Sequence, residues 1–256
     1  MSEVLLERPV ETVALLTLNR PHARNALDMA TRRLLADHFR TLSEDGVTRC
    51  IVIAGNEKVF AAGADLRELA EAGPIEVMQR RTKELWAPII SCPVPVISAV
   101  RGMALGGGCE LALATDIIVA GRSATFGQPE VKVGVMPGAG ATQRLIRTVG
   151  KYKAMMMVLT ATPITAAEAE RIGMVSEVVD DEQVVPRALD VARLIAAMPP
   201  LAVAQIKEVM LAGADAPLHV GLALELRANQ LMFASEDQKE GMRAFLEKRP
   251  PEFKGR

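Results

Sequence analysis

The amino-acid sequence predicts an α/β fold up to Asp180 and an all-helical region after it. A β-rich segment, a loop and a helical segment follow one another near residues 13, 51 and 95. This repetition favours a coiled series of β and α elements over a β-meander. We therefore predict a core domain over residues 1–195 and a helical region over residues 196–256. The C-terminal helices are predicted over residues 181–197, 200–212, 217–234 and 236–247.

Composition and charge limit the possible classes of function. The chain has 256 residues, half of them hydrophobic, a net charge of −1, and as aromatic residues only one Trp, one Tyr and six Phe. The near-neutral charge and the few aromatic side chains argue against a nucleic-acid binder. The N-terminus lacks a signal-peptide pattern, no apolar run has membrane-spanning length, and the three cysteines form no C-x-x-C pair. We therefore expect a cytoplasmic protein with reduced cysteines and no membrane partner.

The strands and helices of the core are predicted from short apolar runs, helical spacing and capping residues. The predicted strands cover residues 10–18, 49–54, 95–100, 116–120, 123–127 and 174–179. The predicted helices cover residues 28–44, a part of 71–94, and shorter segments that begin after Asp65, Gly140 and Thr165. Asp65 with Glu68, Thr165 with Glu168 and Ser235 with Gln238 have the spacing of capping boxes.

Residues 101–140 contain the two glutamates on which a functional interpretation depends. Glu110 follows Gly106–Gly108 and precedes an apolar run, and Glu130 lies 20 residues later inside FGQPE. A buried carboxylate is costly unless it is paired, and two carboxylates in one apolar site can divide acid and base work. The alternative is that Glu110 only satisfies the dipole of a helix, with the glycines forming a tight turn.

Two loops of small residues each precede a predicted helix. One contains Gly106–Gly108 and the other contains Ala61–Ala64, so their backbone N–H groups are poorly covered by side chains. Two such loops can direct two N–H donors at one oxygen atom, as in an oxyanion hole. For the second loop taken alone, a plain strand-to-helix turn is the alternative.

Four segments closely resemble the enoyl-CoA hydratase (crotonase) family. They are RGMALGGGCELALATDIIVAG, FGQPEVKVGVMPGAGATQRL, FAAGADL and LNRPHARNAL, and the likeness extends from LTLNRP to the C-terminal FLEKRPPEFKGR. The resemblance implies a crotonase-like spiral of ββα units with a C-terminal helical trimerisation region, assembled as a homotrimer or as a hexamer of two trimers. It also implies an acyl-CoA thioester substrate and no metal, coenzyme A being part of the substrate and not a separate cofactor.

The resemblance also implies which residues form the site. It puts the oxyanion hole on the backbone N–H groups of Ala64 and Gly107, and it makes Glu110 and Glu130 the catalytic pair. His22 stands where many relatives have lysine, with Arg24 as a substitute for the contact to the phosphates. The coenzyme A positions implied within the chain are Arg24, Ala62, Ala64, Asp65, Leu66 and Gly107, and those implied to reach the adenine end from a neighbouring subunit are Phe245 and Lys248.

The resulting hypothesis is hydration of a trans-2-enoyl-CoA, with Glu110 deprotonating water and Glu130 protonating C2. A Δ3,Δ2-enoyl-CoA isomerase is the nearest alternative, although it needs only one carboxylate. Other acyl-CoA enzymes share the scaffold, and an RNA-binding member or a purely structural trimer are more distant alternatives.

Two classes of substrate remain open. The C-terminal sequence EFKGR and the sequence as a whole are similar to those of the hydratases of phenylacetate catabolism that act on 2,3-dehydroadipyl-CoA. For that substrate, Arg80 or Arg81 is the expected partner of the distal carboxylate. A short- or medium-chain fatty enoyl-CoA of β-oxidation is the alternative.

Overall fold

The computed structural model describes residues 2–256 and contains two β-sheets and twelve α-helices within that range. The strands are β1 (Val4–Val10), β2 (Val13–Leu18), β3 (Cys50–Ala54), β4 (Val59–Ala61), β5 (Val96–Val100), β6 (Met103–Leu105), β7 (Ile117–Gly121), β8 (Thr125–Gly127), β9 (Ile164–Thr165) and β10 (Glu177–Val179). The helices are α1 (Met29–Glu44), α2 (Leu66–Leu69), α3 (Pro74–Gln79), α4 (Thr82–Ile90), α5 (Gly107–Leu113), α6 (Ala141–Thr148), α7 (Lys151–Thr160), α8 (Ala166–Arg171), α9 (Val184–Ala196), α10 (Pro200–Ala214), α11 (Leu218–Met232) and α12 (Glu236–Glu247).

The two sheets alternate along the chain. The larger sheet has the strand order β1-β2-β3-β5-β7-β10, and the smaller sheet has the order β4-β6-β8-β9. β3, β5 and β7 are parallel neighbours in the larger sheet, while β4, β6 and β8 are parallel neighbours in the smaller one. Each repeat of the chain therefore adds one strand to the larger sheet and one strand to the smaller sheet, and a helical segment then leads the chain back to the larger sheet. This confirms the predicted spiral of ββα units.

The larger sheet is buried on both faces because its central strands are apolar at successive positions. On one face, Leu16 and Ile53 belong to the main core together with Phe39 of α1 and Phe60 of β4. The other face is covered by α9. This helix presents small side chains at four-residue spacing, which allows close approach to the sheet; they are Val184, Ala188, Ala192 and Ala196.

Most predicted elements are present, and the differences have local causes. The strand β1 was not predicted because it is an edge strand with mostly exposed residues, and β4, β6 and β9 are too short to show a periodic pattern. The prediction of one helix within residues 71–94 is wrong. The segment forms α3 and α4, and the break lies at Arg81, whose φ of 49° is in the left-handed region.

At three helices the predicted cap side chain accepts a hydrogen bond from a backbone N–H of the first turn, but the predicted capping boxes are not formed within residues 2–256. The side chains of Thr165 and Ser235 accept hydrogen bonds from the third helical N–H, at 3.2 Å and 3.1 Å. Asp65 caps α2 but accepts from the N–H of Arg67. The second bond of each capping box is missing. The Glu68 carboxylate accepts instead from the N–H of Met29 at 3.1 Å, the Glu168 carboxylate pairs with Lys153 and Arg171, and Oε1 of Gln238 has no partner among residues 2–256.

The C-terminal helices carry much exposed apolar surface. α10 and α11 pack against each other, and α12 is joined to the C-terminal segment by the buried Asp237 carboxylate, which accepts from the N–H groups of Lys254 and Gly255. Within residues 2–256, no single helix is long and apolar enough to cross a membrane. One pair of consecutive helices, Asp181–Ala196 and Pro200–Ala214, has the length and apolar composition together, but it is bent by 109°. The large exposed side chains of α10 and α11 include Ile206, Met210, Leu218, Leu226 and Leu231.

Candidate active site

Two loops meet at one edge of the smaller sheet. β4 and β6 are parallel neighbours, so the segments that follow them begin side by side. After β4, residues 62–65 lead to α2, and after β6 the single residue Gly106 leads to α5. A Cβ on Gly63 would lie 3.6 Å from the nitrogen of Gly107, and a Cβ on Gly107 would lie 3.6 Å from the nitrogen of Ala64. The amides of Ala64 and Gly107 are therefore adjacent.

Both amides are available to a ligand. Within residues 2–256, the N–H groups of Ala64 and Gly107 donate to no other residue. Gly107 is the first residue of α5, where the N–H groups have no partner inside the helix and the dipole is positive. Ala64 is held by a parallel bridge to Leu27, whose N–H donates to the Gly63 carbonyl at 2.7 Å. Two fixed donors of this kind can stabilise an oxygen that gains negative charge.

Glu110 lies in the first turn of α5 and is only 3% exposed. Its Oε1 accepts hydrogen bonds from the N–H groups of Ala139 at 2.7 Å and Ala141 at 3.0 Å. Ala141 begins α6, so a second helix N-terminus faces this carboxylate and offsets the cost of its burial. Oε2 has no hydrogen-bond partner among residues 2–256. One oxygen is thus held in place, and the other is available to a water molecule.

The Glu130 carboxylate reaches back to the glycine turn before α5. Its Oε1 lies 2.9 Å from the position that a Cβ on Gly106 would take. Gly106 has φ 51° and ψ −125°, which side chains other than glycine rarely adopt. Any side chain here would therefore be strained and would displace Glu130. Gln128 is buried and, with its amide nitrogen facing Glu130, donates to both carboxylate oxygens at 3.1 Å and 3.2 Å.

The two glutamates have different electrostatic surroundings. Burial raises the pKa of Glu130 above its ordinary value, and the negative charge of Glu110 raises it further, while a hydrogen bond from its own backbone acts in the opposite direction. Glu110 has two backbone donors on one oxygen instead. Paired carboxylates with unlike environments are typical of sites where one acts as the acid and the other as the base.

Cys109, which lies beside Glu110, is not placed to act as a nucleophile. It is buried and free, and burial raises the pKa of its thiol to about 12, with the charge of Glu110 adding to the effect. Cys50 and Cys92 are also buried and free. Buried thiols of this kind behave as small apolar side chains.

Arg20 was not predicted to have a role, and it connects the loop after β4 to the rest of the fold. Its guanidinium pairs with Asp65 at 2.8 Å, with Asp28 at 3.0 Å and with Glu3 at 3.4 Å. Asp65 also pairs with Arg67, and the hydrogen bonds from Arg67 and then Arg20 hold the pKa of Asp65 well below its usual range. The sequence shows Arg20 only as part of the Asn-Arg-Pro turn. Its three partners lie in other segments of the chain, so no sequence spacing indicates these ion pairs.

The residues expected to contact coenzyme A from the same chain lie together. The N–H of Ala62 donates to the Arg24 carbonyl at 3.1 Å, and the side chains of Arg24 and Leu66 are exposed. Asp65 differs, since its buried carboxylate is already occupied by two arginines. Its side chain therefore positions the loop and is not free to bind a ligand.

Phe245 and Lys248, at the C-terminal end of α12, make no hydrogen bond to these loops within the described chain. Phe245 is 83% exposed. Within residues 2–256, neither residue is thus joined by a hydrogen bond to the other predicted site residues.

Two half-buried arginines lie near Glu110, and neither was predicted to have a role. Nη1 of Arg144 donates to the Ala139 carbonyl at 2.8 Å, and Nε of Arg32 donates to the Leu27 carbonyl at 3.0 Å. Burial lowers the pKa of both guanidinium groups, and the charge of Glu110 opposes the effect in each. An arginine on an amphipathic helix usually lies in solvent, so helical spacing alone does not predict a half-buried arginine near the site.

Comparison with known proteins gives the family to which the chain is similar. Residues 8–256 match the family model described as enoyl-CoA hydratase/isomerase. The chain is 45% identical to the 2,3-dehydroadipyl-CoA hydratase of Escherichia coli over 100% of both chains, and 44% identical to a probable enoyl-CoA hydratase of Rhizobium meliloti over 99% of both. A solved structure of an enoyl-CoA hydratase from Bacillus anthracis has a TM-score of 0.95 at 35% identity and covers 99% of this chain and 100% of its own.

Proposed function

We propose that this chain, which belongs to the enoyl-CoA hydratase/isomerase family, adds water to trans-2-enoyl-CoA thioesters to give 3-hydroxyacyl-CoA. One observation carries the proposal. The carboxylates of Glu110 and Glu130 flank a turn whose free amide, on Gly107, is adjacent to that of Ala64. The chemistry uses only these side chains and backbone groups, with coenzyme A as part of the substrate.

The amide pair accounts for the electrophilic half of the reaction. Attack of water at C3 of a conjugated thioester moves negative charge onto the thioester oxygen. In the proposed complex, the N–H groups of Ala64 and Gly107 donate to this oxygen, and they are already in place before the charge develops. Loss of one donor from such a hole costs about 2.7–4 kcal/mol of barrier lowering.

The two carboxylates account for the proton transfers. Glu110 accepts a proton from water through Oε2, while Oε1 remains bound to the backbone. Glu130 gives its proton to C2, which its raised pKa supports. Both groups act from one side of the substrate, so the hydrogen and the hydroxyl add in the syn sense. Proton exchange with solvent then restores an ionised Glu110 and a protonated Glu130.

The alternative is a Δ3,Δ2-enoyl-CoA isomerase, which moves one proton and needs one carboxylate. The presence of both glutamates favours hydration. A preparation that converts 3-enoyl-CoA to 2-enoyl-CoA but adds no water to crotonyl-CoA would support the isomerase instead.

The test is hydration of crotonyl-CoA by Glu110→Gln and Glu130→Gln, followed by loss of the conjugated-thioester absorbance. Each variant is expected to lower kcat by about 10²–10⁴-fold or more, since each removes one proton-transfer group. The affinity for 3-hydroxybutyryl-CoA, measured by calorimetry, is expected to stay within about threefold, because neither carboxylate is assigned to binding coenzyme A. Glu71→Gln, at an exposed position, is the matched control. Near-normal hydration by either site variant would refute the assignment.

A further inference from the structure

The guanidinium of Arg32 is a part of this site that the proposed hydration does not use. Arg32 lies near the start of α1, is half-buried, and donates through Nε to the Leu27 carbonyl. Within residues 2–256, its two terminal nitrogens have no hydrogen-bond partner, and no carboxylate lies within ion-pair distance. A partly buried cation without a partner is unfavourable, so an anion bound there would be stabilised.

Arg32 lies beside the amide pair. The Leu27 carbonyl that it binds belongs to the residue bridged to Ala64, and Cδ1 of Leu27 is 3.8 Å from the position of a Cβ on Gly107. Only Leu27 therefore lies between the guanidinium of Arg32 and the amides of Ala64 and Gly107. An acyl chain whose thioester oxygen is bound by those amides begins next to Leu27.

The surroundings of Arg32 leave it positively charged. Burial lowers its pKa and the charge of Arg80 acts in the same direction, while the carboxylates of Glu68 and Glu110 oppose them. A guanidinium remains protonated under such opposing effects. Glu68 is exposed and is engaged by the N–H of Met29, so it does not neutralise Arg32 by direct contact.

The two arginines that were expected to meet a distal carboxylate already have partners. Arg80 pairs with Glu76 at 2.7 Å, and its Nη2 also donates to the Glu68 carbonyl. Arg81 pairs with Glu84, and its side chain is 72% exposed. Arg32 is the better candidate for that function.

We propose that Arg32 binds a carboxylate at the far end of the acyl chain, so that the enzyme prefers enoyl-CoA thioesters of dicarboxylic acids to uncharged chains of equal length. This inference rests on the proposed hydratase function. A guanidinium offers two parallel N–H donors that match the two oxygens of a carboxylate. The terminal nitrogens that lack partners in the protein supply these donors.

The experiment compares kcat/KM for two six-carbon substrates that differ only in the terminal group, trans-2-hexenoyl-CoA and 2,3-dehydroadipyl-CoA. The wild-type enzyme is expected to favour the dicarboxylic substrate at least tenfold. Arg32→Met is expected to lower this ratio at least tenfold by reducing kcat/KM for the dicarboxylic substrate alone, and Arg32→Lys is expected to restore a part of it. Arg33→Met, at the exposed next position of α1, is the control that keeps the ratio.

A second readout is inhibition by the saturated thioesters adipoyl-CoA and hexanoyl-CoA, which measures binding without turnover. Adipoyl-CoA is expected to lose affinity in Arg32→Met, while hexanoyl-CoA is not. Equal losses for both compounds, or a wild-type enzyme that hydrates both substrates equally well, would overturn the inference and leave the hydratase proposal standing. Failure of the wild-type enzyme to hydrate either substrate would instead refute the proposed function.

Discussion

Glu130, the proposed acid, illustrates how a group proposed for catalysis can oppose folding. Its carboxylate is half-buried, and burial and the charge of Glu110 both raise its pKa. The folded protein therefore binds this proton more tightly than the unfolded chain does. The resulting loss of stability is absent below the pKa of the unfolded chain and grows as the pH rises through the pKa of the folded protein. At any pH above the pKa of the unfolded chain, Glu130 thus lowers the free energy of unfolding.

Glu130→Gln is accordingly expected to raise Tm at pH 7.5 while it abolishes hydration. Glutamine keeps the shape of the side chain and an oxygen that can accept from Gln128, but it carries no charge. The gain in Tm is expected to shrink as the pH is lowered toward 4.5, where the unfolded chain also binds the proton. Calorimetric scans of both proteins across this pH range measure the effect. A lower Tm for the variant at pH 7.5 would contradict it.

At the scale of elements, the amide-bearing loop after β4 depends on one buried cation. Arg20 has a side chain only 11% exposed, and it links Asp65 before α2 to Asp28 before α1 and to Glu3 beside β1. Without Arg20, Asp28 has no ion-pair partner within residues 2–256, and Asp65 keeps only the exposed Arg67. The position of Ala64, next to Asp65, is therefore maintained by contacts outside the active site.

Arg20→Met is expected to lower the free energy of unfolding by about 3–5 kcal/mol, the usual cost of breaking a buried ion pair on one side. Arg67→Met is the control, because the Arg67 side chain is 74% exposed and its pair with Asp65 is expected to contribute under about 1 kcal/mol. The pKa of Asp65 is depressed, so its share of the stability is present above the unfolded pKa and is lost as the pH falls. Urea unfolding at pH 7.5, and again at a pH below 3.8, the ordinary pKa of an aspartate, measures both effects. Equal stability of the two variants would contradict this role of Arg20.

Some helices and strands could be predicted from the sequence far more completely than others. The long helices α1, α11 and α12 were predicted nearly to the residue, since helical spacing together with capping and helix-breaking residues defines them. β4 and β6, which hold the two amide loops, are too short to show a pattern. Arg20 was not predicted because its contacts cross the fold, as when it meets Asp65 from 45 positions away. Arg32 and Gln128 contact residues close in sequence, but their burial follows from the fold and has no sequence signal.

For the whole molecule, the apolar surface of the C-terminal helices is the main feature that one chain does not explain. Large apolar side chains on α7, α10 and α11 are exposed, among them Leu159, Met210 and Leu218. Many exposed large apolar side chains on neighbouring helices are typical of contacts between subunits. We therefore propose that residues 196–256 act as an oligomerisation region and that the protein forms a homotrimer or a hexamer of two trimers. Light scattering is expected to give the mass of three or six chains.

Such an assembly would bring Phe245 and Lys248 of one chain to the site of its neighbour, where they are expected to meet the adenine end of coenzyme A. Lys248→Ala is then expected to raise KM for crotonyl-CoA by about threefold to tenfold, as expected for the loss of one exposed charged contact. Because the contact is to the nucleotide, KM for crotonyl-pantetheine, which lacks it, should not change. Lys239→Ala, also on α12, is the control. Equal changes with both thioesters would show that Lys248 acts on the fold or assembly and not on the nucleotide.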